Sequence, residues 1–123
     1  MRVLVADAEV YTRRLLVRDL RHAGYDTLAL DTGEHVLETA LKFRPAAIVL
    51  DLALQVVSGF QALEKLKLDS QTVRIPVIVA SAQTDKESVI TARNLGAVDF
   101  LAKPWVSDEF LRRVGQAIHS VAA

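Results

Sequence analysis

The sequence predicts an α/β fold, a doubly wound five-stranded parallel sheet with five helices. Two observations carry this. Short aliphatic runs, apolar on both faces as strands buried between helix layers must be, recur along the chain. Segments with helical periodicity separate each run from the next, which is the order of a βαβ fold.

The first strand run is Val3–Ala6, and the helix after it places Tyr11, Leu15, Leu16, Leu20 and Ala23 on one stripe, with Gly24 as its stop. Thr27–Leu30 is the second strand, followed by a helix carrying Val36, Leu37, Ala40 and Leu41 and ending before Pro45. Ala47–Leu50 is the third strand. Ser58-Gly-Phe-Gln61 reads as a capping box opening a helix with Phe60, Leu63 and Leu66. Val77–Ala80 is the fourth strand, and Thr84-Asp-Lys-Glu87 reads as a second capping box, its helix stopping at Gly96. The last strand is Val98–Leu101. The last helix starts at Ser107, has Asp108 and Glu109 in its first turn, and buries Phe110, Leu111, Val114, Ala117, Ile118 and Val121. Gly115 costs that helix about 1 kcal/mol of propensity, which the apolar stripe offsets.

Composition narrows the functions. At 123 residues the chain forms one domain, residues 1–123, and 51% apolar content argues against disorder. Fifteen basic residues balance fifteen acidic ones, so net charge gives no case for nucleic acid or an anionic membrane. The absence of cysteine excludes disulfides, thiol catalysis and thiolate metal sites. Val3–Ala6 is too short for a signal peptide and no run reaches membrane-spanning length, so a cytoplasmic location is expected.

In open parallel sheets ligands sit beyond the carboxyl ends of the strands. The residues there are Asp7, Asp51, Ser81 and Lys103. If the first and third strands are neighbours, ~4.8 Å apart, Asp7 and Asp51 converge on one pocket. Two carboxylates suit a hard divalent cation, while an ammonium and a hydroxyl suit an oxyanion.

The stretches "VLVADAE", "AAIVLDLALQVVSGFQAL", "IPVIVASAQ" and "GAVDFLAKPW" resemble, in order and spacing, the receiver domain of two-component response regulators. The resemblance covers essentially the whole chain. It implies the flavodoxin-like strand order 2-1-3-4-5 and a cis Lys103–Pro104 bond. It also implies that Asp51 is the phospho-acceptor, charged by a sensor histidine kinase or phosphotransfer protein. By the same resemblance Mg²⁺ is held by Asp7, Asp51 and the backbone carbonyl of Ala53. Lys103 pairs with the phosphoryl charge, Ser81 hydrogen-bonds it, and Ser81 with Phe100 forms the switch. Such a domain is no enzyme beyond self-phosphorylation from a phosphodonor and slow autodephosphorylation.

This chain departs from the family pattern at three places. Ala8 stands where a second acid normally touches the metal, so Mg²⁺ binding is expected to be weakened; Glu9 instead starts the first helix. Gln55 replaces a usual proline, and Phe100 lacks the hydroxyl of the frequent tyrosine. Ala8 favours an alternative, a pseudo-receiver acting as a phosphorylation-independent interaction module. A flavodoxin-type flavin carrier would need a hydroxyl- and glycine-rich loop where Asp7-Ala-Glu-Val-Tyr stands, and a hydrolase would need a His or Glu base at the pocket.

Elsewhere the reading is structural. His22, His35 and His119 have no ligand spacing, Arg13-Arg14 and Arg112-Arg113 read as helix surface, and Trp105 reads as a partly buried anchor. The resemblance places partner or output-domain contacts on helix 4, strand 5 and helix 5, about residues 84 to 121. Asp99 and Arg113 fall where dimeric winged-helix regulators form an intersubunit ion pair. Val89 leaves Glu109 without its usual cation from helix 4. One exposed pair contributes about 0–1 kcal/mol, so a monomer or weak dimer is expected.

Overall fold

The alternating runs form five parallel strands and the amphipathic segments five helices in a computed structural model, which describes residues 1–122. In chain order the elements are β1 (Arg2–Ala6), α1 (Val10–His22), β2 (Asp26–Leu30), α2 (Val36–Phe43), β3 (Ala47–Leu50), α3 (Gly59–Leu68), β4 (Val77–Ser81), α4 (Lys86–Asn94), β5 (Asp99–Ala102) and α5 (Ser107–Ala122). Ala123 and the side chain of Val121 lie outside the described residues. The strand order is 2-1-3-4-5, as expected. The Lys103–Pro104 bond is cis.

Successive strand residues point to opposite faces, and each face has its own core. Leu4, Ala6, Ile48, Leu50, Val77 and Val79 pack against Val36 and Ala40 of α2, Leu63 and Leu66 of α3, and Ala92 of α4. Val3, Val5, Ala47, Val49, Ile78 and Ala80 pack on the other face against Leu16 and Leu20 of α1 and Phe110 and Val114 of α5. The two edge strands are the exceptions to two-sided burial, and in β5 only Leu101 is buried. β2 has no fully buried residue.

Three local readings need correction. The cap of α4 is Asp85, whose carboxylate accepts the Ser88 N–H at 3.0 Å, one residue beyond the expected Thr84. Asp outranks Thr as a cap, but Glu87 three residues after Thr84 completes a capping-box pattern that Asp85, with Ser88 at that spacing, does not. Tyr11 and Ala23 are exposed, and the buried positions of α1 are Leu16, Asp19 and Leu20. β5 begins at Asp99, leaving Val98 outside it and exposed, while β4 runs on to include Ser81. The α3 capping box is present as expected: the Gln61 N–H donates to Ser58 Oγ at 3.2 Å, and the Ser58 N–H to Gln61 Oε1 at 2.9 Å.

The segment between β3 and α3 is pinned from two sides. A Cβ on Gly59 would lie 2.1 Å from the Asp51 carbonyl oxygen, and one on Gly33 would lie 1.8 Å from that of Val57. Only glycine permits these approaches. Within the segment, exposed Val56 is left-handed at φ 68°, a conformation costing a residue with a Cβ about 1–2 kcal/mol.

Candidate functional site

The sheet ladder itself places the four expected residues. Ala6 of β1 stands beside Leu50 of β3, so the next residues, Asp7 and Asp51, leave adjacent strands together. Their backbones remain tied in. The Asp7 N–H donates to Leu30 O at 3.0 Å, and the Asp51 N–H donates to Ala6 O at 3.0 Å. Across the sheet the Lys103 N–H donates to Ser81 O at 3.0 Å, which holds the end of β5 against the end of β4. Asp7, Asp51 and Ser81 are all buried, in a chain whose other buried residues are mostly apolar.

Lys103 joins the two acids. Its Nζ lies 2.5 Å from Asp7 Oδ2 and 3.4 Å from Asp51 Oδ2, with the lysine side chain only 13% exposed. The second Asp7 oxygen accepts the Glu9 N–H at 3.0 Å, and the second Asp51 oxygen faces the Ala53 N–H at 3.4 Å. One ammonium thus answers two carboxylates, which leaves this trio with a deficit of positive charge. Burial pushes the Asp7 carboxyl above the usual aspartate range, and the hydrogen bonds from Lys103 and the Glu9 N–H only partly oppose it.

That direction sets a testable pH dependence. Folded Asp7 holds its proton to higher pH than unfolded Asp7, so its contribution to stability falls as pH rises from the unfolded value of 3.8 through the folded one. Asp7→Asn should therefore stabilise the protein at neutral pH by about 0.5–2 kcal/mol, the usual range for relieving one unfavourable site. The gain should shrink toward pH 4 in urea melts; a pH-independent difference would contradict the assignment.

The neighbours of the trio divide into expected and unexpected. Glu9 starts α1, its carboxylate accepting from the Tyr11 N–H at 3.0 Å and the Thr12 N–H at 2.6 Å, so it is turned to the helix instead of the pocket. The Thr12 hydrogen bonds hold its carboxyl below the usual range. Ala8 brings no oxygen. Ser81 Oγ accepts the Gln83 N–H at 3.0 Å. The Phe100 ring is half-buried against the core cluster shared with α3 and α4. Arg13, expected at the surface, is half-buried and donates to the Asp7 carbonyl at 2.8 Å. Spacing gave no sign of this, because only the turn between Asp7 and α1 brings the two together.

Two buried carboxylates, with the chain of Ala53 beside them, offer hard oxygen donors of the kind Mg²⁺ takes. An ion that takes one or two carboxylates and keeps several waters suits this donor set; among the described residues no three acidic or imidazole side chains group together. Asp99 and Arg113 pair within the chain at 2.8 Å, and Arg113 Nε also holds Glu109 at 2.8 Å.

A five-stranded parallel sheet in the order 2-1-3-4-5 is shared with known proteins. The model of the response regulator receiver domain matches residues 3–115. The chain belongs to this family. The receiver is 37% identical over 116 residues to the transcriptional regulatory protein KdpE of Mycobacterium tuberculosis, covering 94% of this chain and 50% of that protein. It is 31% identical over 113 residues to the DNA-binding response regulator MtrA of the same species, covering 92% and 48%. A Chloroflexus aurantiacus crystal structure assigned as a response regulator superposes with a TM-score of 0.92 at 28% identity, covering 96% of this chain and 97% of that one. The chain thus spans about half the length of the curated relatives it matches. Among the described residues no helix of the receiver is long and apolar enough to cross a membrane.

Proposed function

We propose that this receiver is a phosphorylation switch in which Asp51 accepts a phosphoryl group from a phosphohistidine on a sensor kinase or phosphotransfer protein. The observation that carries the reading is the single Lys103 ammonium within reach of both Asp7 and Asp51. An Asp51 oxygen attacks phosphorus, the phosphorus–nitrogen bond breaks, and the imidazole leaves with the bond's electron pair. Lys103 would pair with the incoming negative charge, a role supported by its Nζ lying 3.4 Å from Asp51. Ser81 keeps a hydroxyl proton to donate once the phosphoryl oxygens arrive. Phosphoryl transfer needs mainly such positioning and charge neutralisation.

Asp7, Asp51 and the Ala53 carbonyl would hold Mg²⁺, which supplies further neutralisation when bound. Ala8 contributes no ligand there, and Glu9 is occupied by its cap. Ala8→Asp should therefore tighten Mg²⁺ about 10–100-fold, the scale on which partners of a metal site act. Equal affinity of both proteins in a calorimetric titration would contradict this.

Ala8 also favours a second reading, a pseudo-receiver whose state is set by a partner without phosphorylation. Uptake of one phosphoryl group at Asp51 from acetyl phosphate separates the two. The proposed output runs through the α4–β5–α5 face to a downstream protein or output domain. Arg113 is already engaged there by Asp99 and Glu109 of its own chain, which supports a monomer or weak dimer in the unphosphorylated state. The charge balance that argued against nucleic acid concerns these 123 residues only. KdpE and MtrA are named as transcriptional and DNA-binding regulators, so that expectation has no support for a longer protein containing this receiver.

A further inference from the structure

One buried acid has no part in the site described above. Asp19 lies mid-helix on the inward stripe of α1 between Leu16 and Leu20, and only 4% of it is exposed. A carboxylate there gives up its hydration, which an aliphatic side chain would not. Its compensation is specific. Oδ2 accepts the indole N–H of Trp105 at 2.9 Å, and Oδ1 accepts from Arg18 at 3.2 Å. Trp105 is the only tryptophan in the chain and stands two residues after Lys103. Its ring is tilted 60° against Phe110 of α5, centroids 6.1 Å apart, so packing on α5 and the hydrogen bond to α1 both hold it.

We propose that Asp19 is a positioning residue for phosphoryl transfer, acting through Trp105 to hold the Lys103 ammonium over Asp51. Lys103 has four rotatable carbons between backbone and charge, so its reach depends on where its backbone is anchored. The upstream anchor is the hydrogen bond to Ser81 O; the downstream anchor is Trp105, bound to α1. An indole N–H needs an acceptor when buried, and the carboxylate is the stronger kind. Asp19 therefore links α1 to the segment that presents the lysine.

The proposal rests on the phospho-acceptor reading for its role, but its geometry can be tested separately. Acylation of lysines by an amine-reactive ester, read by peptide mass spectrometry, compares Lys103 with exposed Lys86 in the same molecule. Asp19→Leu and Trp105→Phe should each raise relative labelling of Lys103 about threefold or more as the anchor loosens, while Asp19→Asn, which keeps an acceptor oxygen, should stay near wild type. The phosphorylation rate with acetyl phosphate should fall about fivefold or more in the first two variants, since small misplacements of a positioned charge are costly. In a Lys103→Ala background Asp19→Leu should cause no further loss.

Unchanged Lys103 labelling would overturn the proposal, because the two carboxylates alone would then hold the lysine. An equal loss of rate with and without Lys103 would also overturn it, leaving Asp19 a purely structural group. If Asp19→Leu does not fold, Trp105→Phe reads the same link from its other end. If wild-type protein takes up no phosphoryl group, the phospho-acceptor reading fails, and labelling still decides the link.

Discussion

Gly59→Ala should cost about 3 kcal/mol, the upper range for overpacking a site that cannot relax. Its Cβ would sit 2.1 Å from the Asp51 carbonyl oxygen and 2.5 Å from the Leu52 Cα, both backbone atoms, so no side-chain rotation relieves the clash. The start of α3 must move away from the end of β3, and the Gly59 N–H bond to Leu52 O, 3.0 Å long, goes with it. Because the obstructed atoms belong to Asp51 and its neighbour, phosphoryl uptake should fall together with stability. Urea denaturation measures the first and mass spectrometry the second. A variant as stable as wild type would show that this approach is not as close as described.

Lys103→Ala should lower the rate of phosphorylation by about 100-fold or more, the loss seen when one preorganised group facing developing negative charge is removed. It should also alter stability in a pH-dependent way. Asp7 loses the ammonium that partly offsets its burial, so its folded carboxyl moves further up. Folded protein then binds a proton that unfolded protein releases, and stability must fall as pH rises. At neutral pH the loss should approach about 3–5 kcal/mol, the cost of stranding a buried charge, with part regained toward pH 5. Urea midpoints at the two pH values check this; a pH-independent loss would mean that Asp7 is not the stranded group.

The pocket was legible because parallel strands deliver their next residue to one edge. Asp7, Asp51, Ser81 and Lys103 needed only the strand ends and the neighbouring of β1 and β3. The two sheet faces were legible for the same reason, since alternation along each strand assigns its residues. What stayed hidden depends on contacts between distant segments. Asp19 reads as one polar interruption of a helix stripe until Trp105, 86 residues later, is seen against it. Gly59 reads as the second residue of a capping box, and nothing local says that Asp51 lies 2.1 Å from where its Cβ would be. Arg13 looks like half of a surface arginine pair because its acceptor is a backbone carbonyl, which leaves no trace in residue type. The cap of α4 lies one residue beyond Thr84 because the capping-box pattern with Glu87 points to Thr84 while the Asp85 carboxylate takes the Ser88 N–H.

The most direct test is intact-protein mass spectrometry after incubation with acetyl phosphate and excess Mg²⁺, with Asp51→Ala beside wild type. The account predicts that wild-type protein gains the mass of a single phosphoryl group and that Asp51→Ala gains none. Wild-type protein that stays unmodified at saturating phosphodonor and Mg²⁺, or an equal gain in Asp51→Ala, would contradict it.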